Sequence, residues 1–419
     1  MTRERTFTSP VARNEALFEH FSPVFDAIRA GAIEREIERK LPVAEIELLR
    51  NAGFGRLRVP REFGGFGATV EELVALLIEL AAADSNLPQA LRGHIGFTEY
   101  VLAHPDGKYR AFWFDQLANG ALVGNAESER SGTFRNLSTT VQNTSRGWRL
   151  NGTKYYTTGS LYADWILVSA ALDDPEQAEP VRAVVQVSAR APGVTVFDDW
   201  DGFGQRLTGS GTTQFDDVAV DPRFVHPQHA DDSTRTILHA VYQLVHLATL
   251  AGIGQAALAE ITAFVASRTR NQFNPAVAPS QDPVALQIVG ESFGTVQTVA
   301  ASVLAAAATV HAVSDRQLAG IATDADFARA EAHVFGVQAT VIDLVLRLAS
   351  RIFEVGGASA TAGSRRLDRL WRNARTVASH NPAIYRQQAV GDFVVNGVAP
   401  STRTAALLSA TPETVAVSG

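Results

Sequence analysis

The segment LNGTKYYTTGSLYADWILV, residues 150–168, decides the fold. It reads as strand, turn and strand. Asn151-Gly152 after Trp-Arg-Leu is a strong hairpin signal, because both residues tolerate positive φ. Trp165–Val168 opens an apolar run of the kind a buried strand needs. Isolated, the segment would be an ordinary hairpin, so its meaning depends on what flanks it. Outward from it, residues 122–225 carry more strand patterns between Gly, Asn and Asp turns: VRAVVQVSA, GVTVFDDW and TTQFDDVAV. Before this block, from Glu15 to Ala121, apolar residues recur at three and four, as in Phe21–Leu41, Pro42–Ala52, Val70–Ala83 and Gly107–Asn119. Pro60 and Gly64-Gly65-Phe66-Gly67 punctuate that region as turns. After it, from Thr234 to Ala378, four segments rich in Ala, Leu and Val are apolar on more than one face, which predicts a bundle that also makes subunit contacts.

The expectation is an α+β protein: an N-terminal helical domain (1–121), a middle β-barrel or sandwich domain (122–232), and a C-terminal four-helix bundle with a short tail (233–419). Its 419 residues suffice for a large core. A net charge of -7 argues against nucleic acid, since no basic excess is present to neutralise phosphates. With no cysteine, disulfides and thiolate chemistry are excluded. The first twenty residues hold no apolar run that could serve a signal peptide. The longest apolar stretches are interrupted by Gln, His, Glu or Arg, so no membrane span is expected and the protein is read as cytoplasmic.

Two motifs are decoys. GIGQAA, from Gly252, matches a dinucleotide-binding fingerprint, but helix rather than strand precedes it; its small residues suit close helix packing. His226-Pro-Gln-His229 with Asp231 and Asp232 is read as a polar loop after a strand, and no metal is expected.

Four motifs in order resemble the acyl-CoA dehydrogenase superfamily along essentially the whole chain. They are ALVGNAESERSGT (121–133), the segment quoted above, GSGTTQFDDVAVDP (209–222), and FEVGGASA followed by RLDRLWRNAR (353–375). The superfamily's dehydrogenases remove an α-proton from a thioester with a carboxylate. In most members that carboxylate follows the Gly-Gly turn, and here Gly356 to Arg366 contains no acid. In others it lies on the first long C-terminal helix, where Tyr242–Leu250 again has none; Glu260, later on that helix, is read as surface.

RTVASHNP instead places His380 just before an Asn-Pro stop, which resembles the two-component flavin monooxygenases of the superfamily, closest to its dibenzothiophene-type branch. The resemblance implies reduced FMN rather than FAD, supplied by a separate reductase, and O2. A C4a-hydroperoxide would then pass oxygen to a small heteroaromatic, organosulfur or amine substrate. His380 would polarise the adduct, since an imidazole has a proton available near neutral pH; the bland alternative is a helix-end histidine facing the dipole. His94, in LRGH, is a second candidate, or else a buried, satisfied histidine. Asn125 and Ser160 would hold flavin or adduct, with Thr158 and Ser210 beside the flavin and Trp200 walling the pocket. Arg268, Arg270 and Phe273 match the segment that reaches a neighbouring subunit's flavin phosphate, and Gly356 and Gly357 would allow close approach of the backbone to the flavin. That arrangement implies a homotetramer. Relatives that oxidise sulfur often carry a second histidine where this chain has Val377. An FAD-dependent acyl-CoA dehydrogenase or oxidase with an unrecognised base is the alternative.

Overall fold

The computed structural model describes residues 14–130, 137–173, 181–228, 236–271 and 275–401. The N-terminal part contains α1 (Glu15–Ala30), α2 (Ala32–Glu38), α3 (Val43–Ala52), α4 (Val70–Ala83), α5 (Asn86–Ala90), α6 (Arg92–Ala103) and α7 (Gly107–Ala118). The middle part contains β1 (Val123–Ala126), β2 (Thr140–Thr144), β3 (Gly147–Lys154), β4 (Trp165–Asp173), β5 (Val181–Ser188), β6 (Val194–Val196), β7 (Thr213–Val220) and β8 (Val225–Pro227). The C-terminal part contains α8 (Leu238–Ser267), α9 (Pro283–Leu318), α10 (Asp324–Gly356), α11 (Asp368–His380) and α12 (Ala383–Asn396). The α, β, α order expected from sequence is the one observed.

Local chemistry sets several boundaries. Thr69 and Glu72 form a reciprocal capping box that starts α4, and Thr323 with Asp326 does the same for α10. Asp282 caps α9, with Pro283 at the first helical position. The middle domain is one mixed sheet in the order β6-β7-β3-β2-β4-β5-β8, with β1 running parallel to β4. The Asn151-Gly152 pair does not turn the hairpin. Ser145-Arg146 joins β2 to β3, while Asn151-Gly152 lies inside β3 where its register against β7 shifts. The same tolerance of positive φ serves a bulge here: Gly152 has φ 142°, and a Cβ on it would come within 2.5 Å of Thr139 Oγ1.

α8 runs through the middle of the helical layers and is buried nearly all round. A Cβ on Gly252 would come within 2.4 Å of the Ile78 carbonyl oxygen, so the GIGQAA glycine lets α8 press on α4. The apolar residues of α4, α8, α9 and α10 form one core cluster, and the sheet has its own. By length and composition α8, α9 and α10 are apolar enough to cross a membrane, contrary to the reading from sequence. α8 buries 83% of its most apolar stretch within the chain, but α9 and α10 bury only 44% of theirs, so apolar surface on these two is left for something else to cover.

One buried ion pair fixes the segment from which the sequence reading began. Lys154 is fully buried at the end of β3 and donates to Glu129 Oε1 at 2.7 Å and to the Glu127 carbonyl at 3.2 Å. Burial would raise the Glu129 carboxyl, but Lys154, both the N–H and the hydroxyl of Ser138, and the N–H of Thr139 outweigh it and hold the pKa at about 2. Replacing Lys154 with Met strands that carboxylate and is expected to cost about 3–5 kcal/mol in chemical denaturation. Because the folded value lies below the ordinary 4.5, the contribution of Glu129 is complete above pH 4.5 and lost as pH falls toward 2. A Lys154→Met variant as stable as the parent at pH 7 would remove this account.

Candidate active site

β1, the β3–β4 turn and the 197–212 loop present the polar residues singled out from sequence. Ser160 Oγ donates to the Asn125 carbonyl at 3.3 Å. A Cβ on Gly124 would lie 2.5 Å from Ser160 Oγ, so only glycine lets strand and turn meet. Gly159, with φ 80°, brings the same turn against the Ala90 carbonyl at the end of α5. The hydroxyls of Thr158, Ser210 and Thr208 form a buried chain, 2.8 Å and 2.6 Å long at its two links. Trp200 is held by its indole N–H on the Gln205 carbonyl at 2.9 Å, and the next turn of that loop docks on α11, where Asn373 Oδ1 accepts from the Gln205 N–H at 2.7 Å.

The helices supply the other wall. His380 ends α11 as an exposed side chain that packs on one face against a residue of α8. Asn381 fixes that helix end: its side chain donates to Gln243 of α8 at 3.0 Å, and its carbonyl accepts from Gln338 of α10 at 2.8 Å. The His380 Nδ1 lies 3.4 Å from Asn381 Oδ1, too far to fix the tautomer. Against His380, at 4.5 Å between ring centroids, lies His246 of α8, fully buried with neither ring nitrogen hydrogen-bonded. Burial, and then the Arg92 charge, lowers the His380 pKa to about 3; the same causes, with His380 and Arg386, push His246 well below its ordinary value. Both rings are therefore neutral, and the sequence expectation of a proton ready to leave near pH 7 gives way to a neutral N–H hydrogen-bond donor. Val377 is core packing.

His94 is tied at both nitrogens. The Val123 N–H donates to Nδ1 at 3.3 Å, and Nε2–H donates to the Gly55 carbonyl at 2.6 Å. It thereby pins β1, two residues before Asn125, to the turn after α3. Asn125 Oδ1 is buried without a partner. Glu260 is not a free base, since Arg369 binds it with two hydrogen bonds.

The phosphate candidates lie elsewhere. Arg268 donates to the Val355 carbonyl at 3.0 Å at the far end of α8, about 33 Å from His246 at 1.5 Å per residue. Arg270 is exposed, Gly357 has φ 53° with no neighbouring atom within 4 Å of an added Cβ, and a Cβ on Gly356 would strike Ala360. Phe273, like His229, Asp231 and Asp232, lies outside the described residues. Sequence reasoning missed His246, which stood in a stretch searched only for an acid, and Arg92, two residues before the histidine of the LRGH motif. Asn381 was legible only as a helix stop.

A flavin fits these residues: the buried Asn125 amide oxygen is left without a partner, the Ser160 hydroxyl lies on the main-chain carbonyl of the same residue, and Gly124 lets β1 and the Ser160 turn meet to present them. With helical, mixed-sheet and helical parts around such a wall, the chain belongs to the acyl-CoA dehydrogenase superfamily, in its flavin-dependent monooxygenase branch. The acyl-CoA dehydrogenase N-terminal, middle and C-terminal domains match residues 21–121, 123–218 and 244–383. Among its relatives is a dibenzothiophene monooxygenase of Rhodococcus erythropolis, 30% identical over 95% of this chain and 96% of that protein. A probable FMNH2-dependent monooxygenase of Pseudomonas putida is 29% identical over 88% and 92%. Among solved structures, the FMN-bound dibenzothiophene monooxygenase of a Paenibacillus species superposes with a TM-score of 0.85 at 27% identity, covering 93% of this chain and all of that one.

Proposed function

We propose that this chain is a two-component monooxygenase, soluble and cytoplasmic, that takes FMNH2 from a separate reductase and oxygenates a small organic molecule. The observation that carries the reading is the packed pair of imidazoles, His380 and His246, with no acid in either stretch where a dehydrogenase keeps its carboxylate, Tyr242–Leu250 and Gly356 to Arg366. Bound FMNH2 supplies two electrons to O2, so that one oxygen atom enters the substrate and the other leaves as water. The chain's part is to exclude water and to offer hydrogen bonds. His380 donates to the oxygen that is transferred or lost, Asn125 and Ser160 orient the flavin edge, Thr158 and Ser210 continue that wall, and Trp200 closes it. His94 acts through Asn125, by holding β1. Heteroaromatic, organosulfur and amine compounds are the substrate candidates, the second motivated by the relatives named for dibenzothiophene.

The 33 Å between His246 and Arg268 supports a site shared between subunits, with Arg268, Arg270, Phe273 and the Gly356-Gly357 turn serving a neighbour's FMN phosphate. The uncovered apolar surface of α9 and α10 supports a homotetramer. The test couples the protein to a flavin reductase with FMN and NADH and screens sulfides, indoles and amines by mass. Products heavier by one oxygen atom, formed only with reduced FMN, are expected. Tightly held FAD bleached anaerobically by an acyl-CoA would overturn the reading.

A further inference from the structure

Arg92, the first residue of α6, is a part-buried cation with no carboxylate partner among the described residues. Its Nε donates to the Tyr242 carbonyl at 3.2 Å, and its guanidinium lies 4.3 Å above the Tyr242 ring. Among the described residues no ion pair involves it, and Glu127 attracts it without a hydrogen bond. Burial pulls the Arg92 pKa down, the usual cost of a desolvated cation. The next residue, Gly93, abuts Asn125, since a Cβ there would be 2.9 Å from Asn125 Oδ1. One helical turn after Tyr242 comes His246, with two unbonded nitrogens, packed on His380. A guanidinium and an unsatisfied imidazole thus converge beside the proposed oxygen-transfer residue.

Proteins seldom bury an arginine unpaired, because losing hydration costs more than stacking on a ring returns. The missing counter-charge is therefore assigned to the ligand. We infer that Arg92 and His246 seat the oxyanion of a small anionic substrate, a carboxylate or sulfinate, and place its neighbouring atom toward His380. The fork of Arg92 suits two oxygens on one centre, and the His246 N–H adds a third donor. Among the substrate candidates this favours compounds bearing such a group over neutral heteroaromatics. What becomes of the bound anion rests on the monooxygenase reading, but the seat itself does not.

The test is equilibrium binding without reductase, using the FMN-loaded protein with benzoate and benzenesulfinate as probes and benzamide as the neutral isostere. Both anions should bind the parent at least tenfold more tightly than benzamide and raise its melting temperature. Arg92→Gln should lose that preference while melting no lower than the parent, since it removes a part-buried charge that no carboxylate pairs. Arg92→Lys should keep part of it, and His246→Leu should weaken the anions severalfold but not benzamide. Unchanged benzoate affinity in Arg92→Gln would overturn the inference. So would equal loss of benzamide, or a loss of FMN affinity, which would give the guanidinium to the cofactor. Anion binding with no oxygenated product in the coupled assay would strike the proposed function and leave the seat standing.

Discussion

Substitution of His380 by Ala is expected to cut substrate oxygenation by about 10²–10³-fold, the range of one well-placed proton or hydrogen-bond donor. Reduced FMN should still be consumed by O2, now yielding peroxide instead of product. The reason is geometric. Asn381, anchored to α8 and α10, holds the end of α11 so that the His380 ring packs against His246. With its pKa lowered to about 3 by burial and the Arg92 charge, the ring stays neutral through the working range. The ratio of product to peroxide in the parent should therefore be flat between pH 5 and 8 as far as His380 is concerned, and His380→Gln, which keeps an N–H donor, should recover part of the coupling. Parallel measurement of product and peroxide decides it: full coupling in the Ala variant removes His380 from the mechanism.

Replacing His94 with Leu is expected to destabilise the protein by about 3–5 kcal/mol, since it strands the Gly55 carbonyl and the Val123 N–H in the interior. Product formation should fall with it, because β1 is released beside Asn125. Acid should expose the same residue. Burial, only partly opposed by the Gly55 hydrogen bond, lowers its pKa from 6.5 to about 4, so the unfolded chain takes up a proton that the folded one refuses. The stabilising preference for the neutral ring is intact above pH 6.5 and is lost as pH falls toward 4, roughly 3 kcal/mol in all at 1.36 kcal/mol per pKa unit. Urea melts of the parent and His94→Leu at pH 7.5 and 4.5 check this. The gap between them should narrow in acid, and an equal gap at both would refute the histidine's share.

Much of the candidate site was legible because its residues sit in short motifs whose backbone demands are local. Gly124 must be small for β1 to meet the turn and Gly159 for the turn to meet α5, and that requirement shows in the sequence as Val-Gly-Asn and Thr-Gly-Ser. The absence of an acid from Gly356 to Arg366 was equally plain. Asn151-Gly152 misled because positive φ serves a bulge as well as a turn, and the sheet register chooses between them.

By itself the sequence determined the helix, sheet and helix order, since hydrophobic period is a property of neighbouring residues, and with it the superfamily and the want of a catalytic carboxylate. Only the tertiary structure decided what stands around His380. His246 looks like one polar residue in an apolar helix until α11 lays His380 against it. Arg92 looks like a solvated charge until α8 covers it with Tyr242. His94 looks catalytic until both nitrogens are found on backbone partners. These contacts join positions as far as 150 residues apart, as Arg92 and Tyr242 are, and which side chains are desolvated together depends on how the helices pack rather than on local pattern.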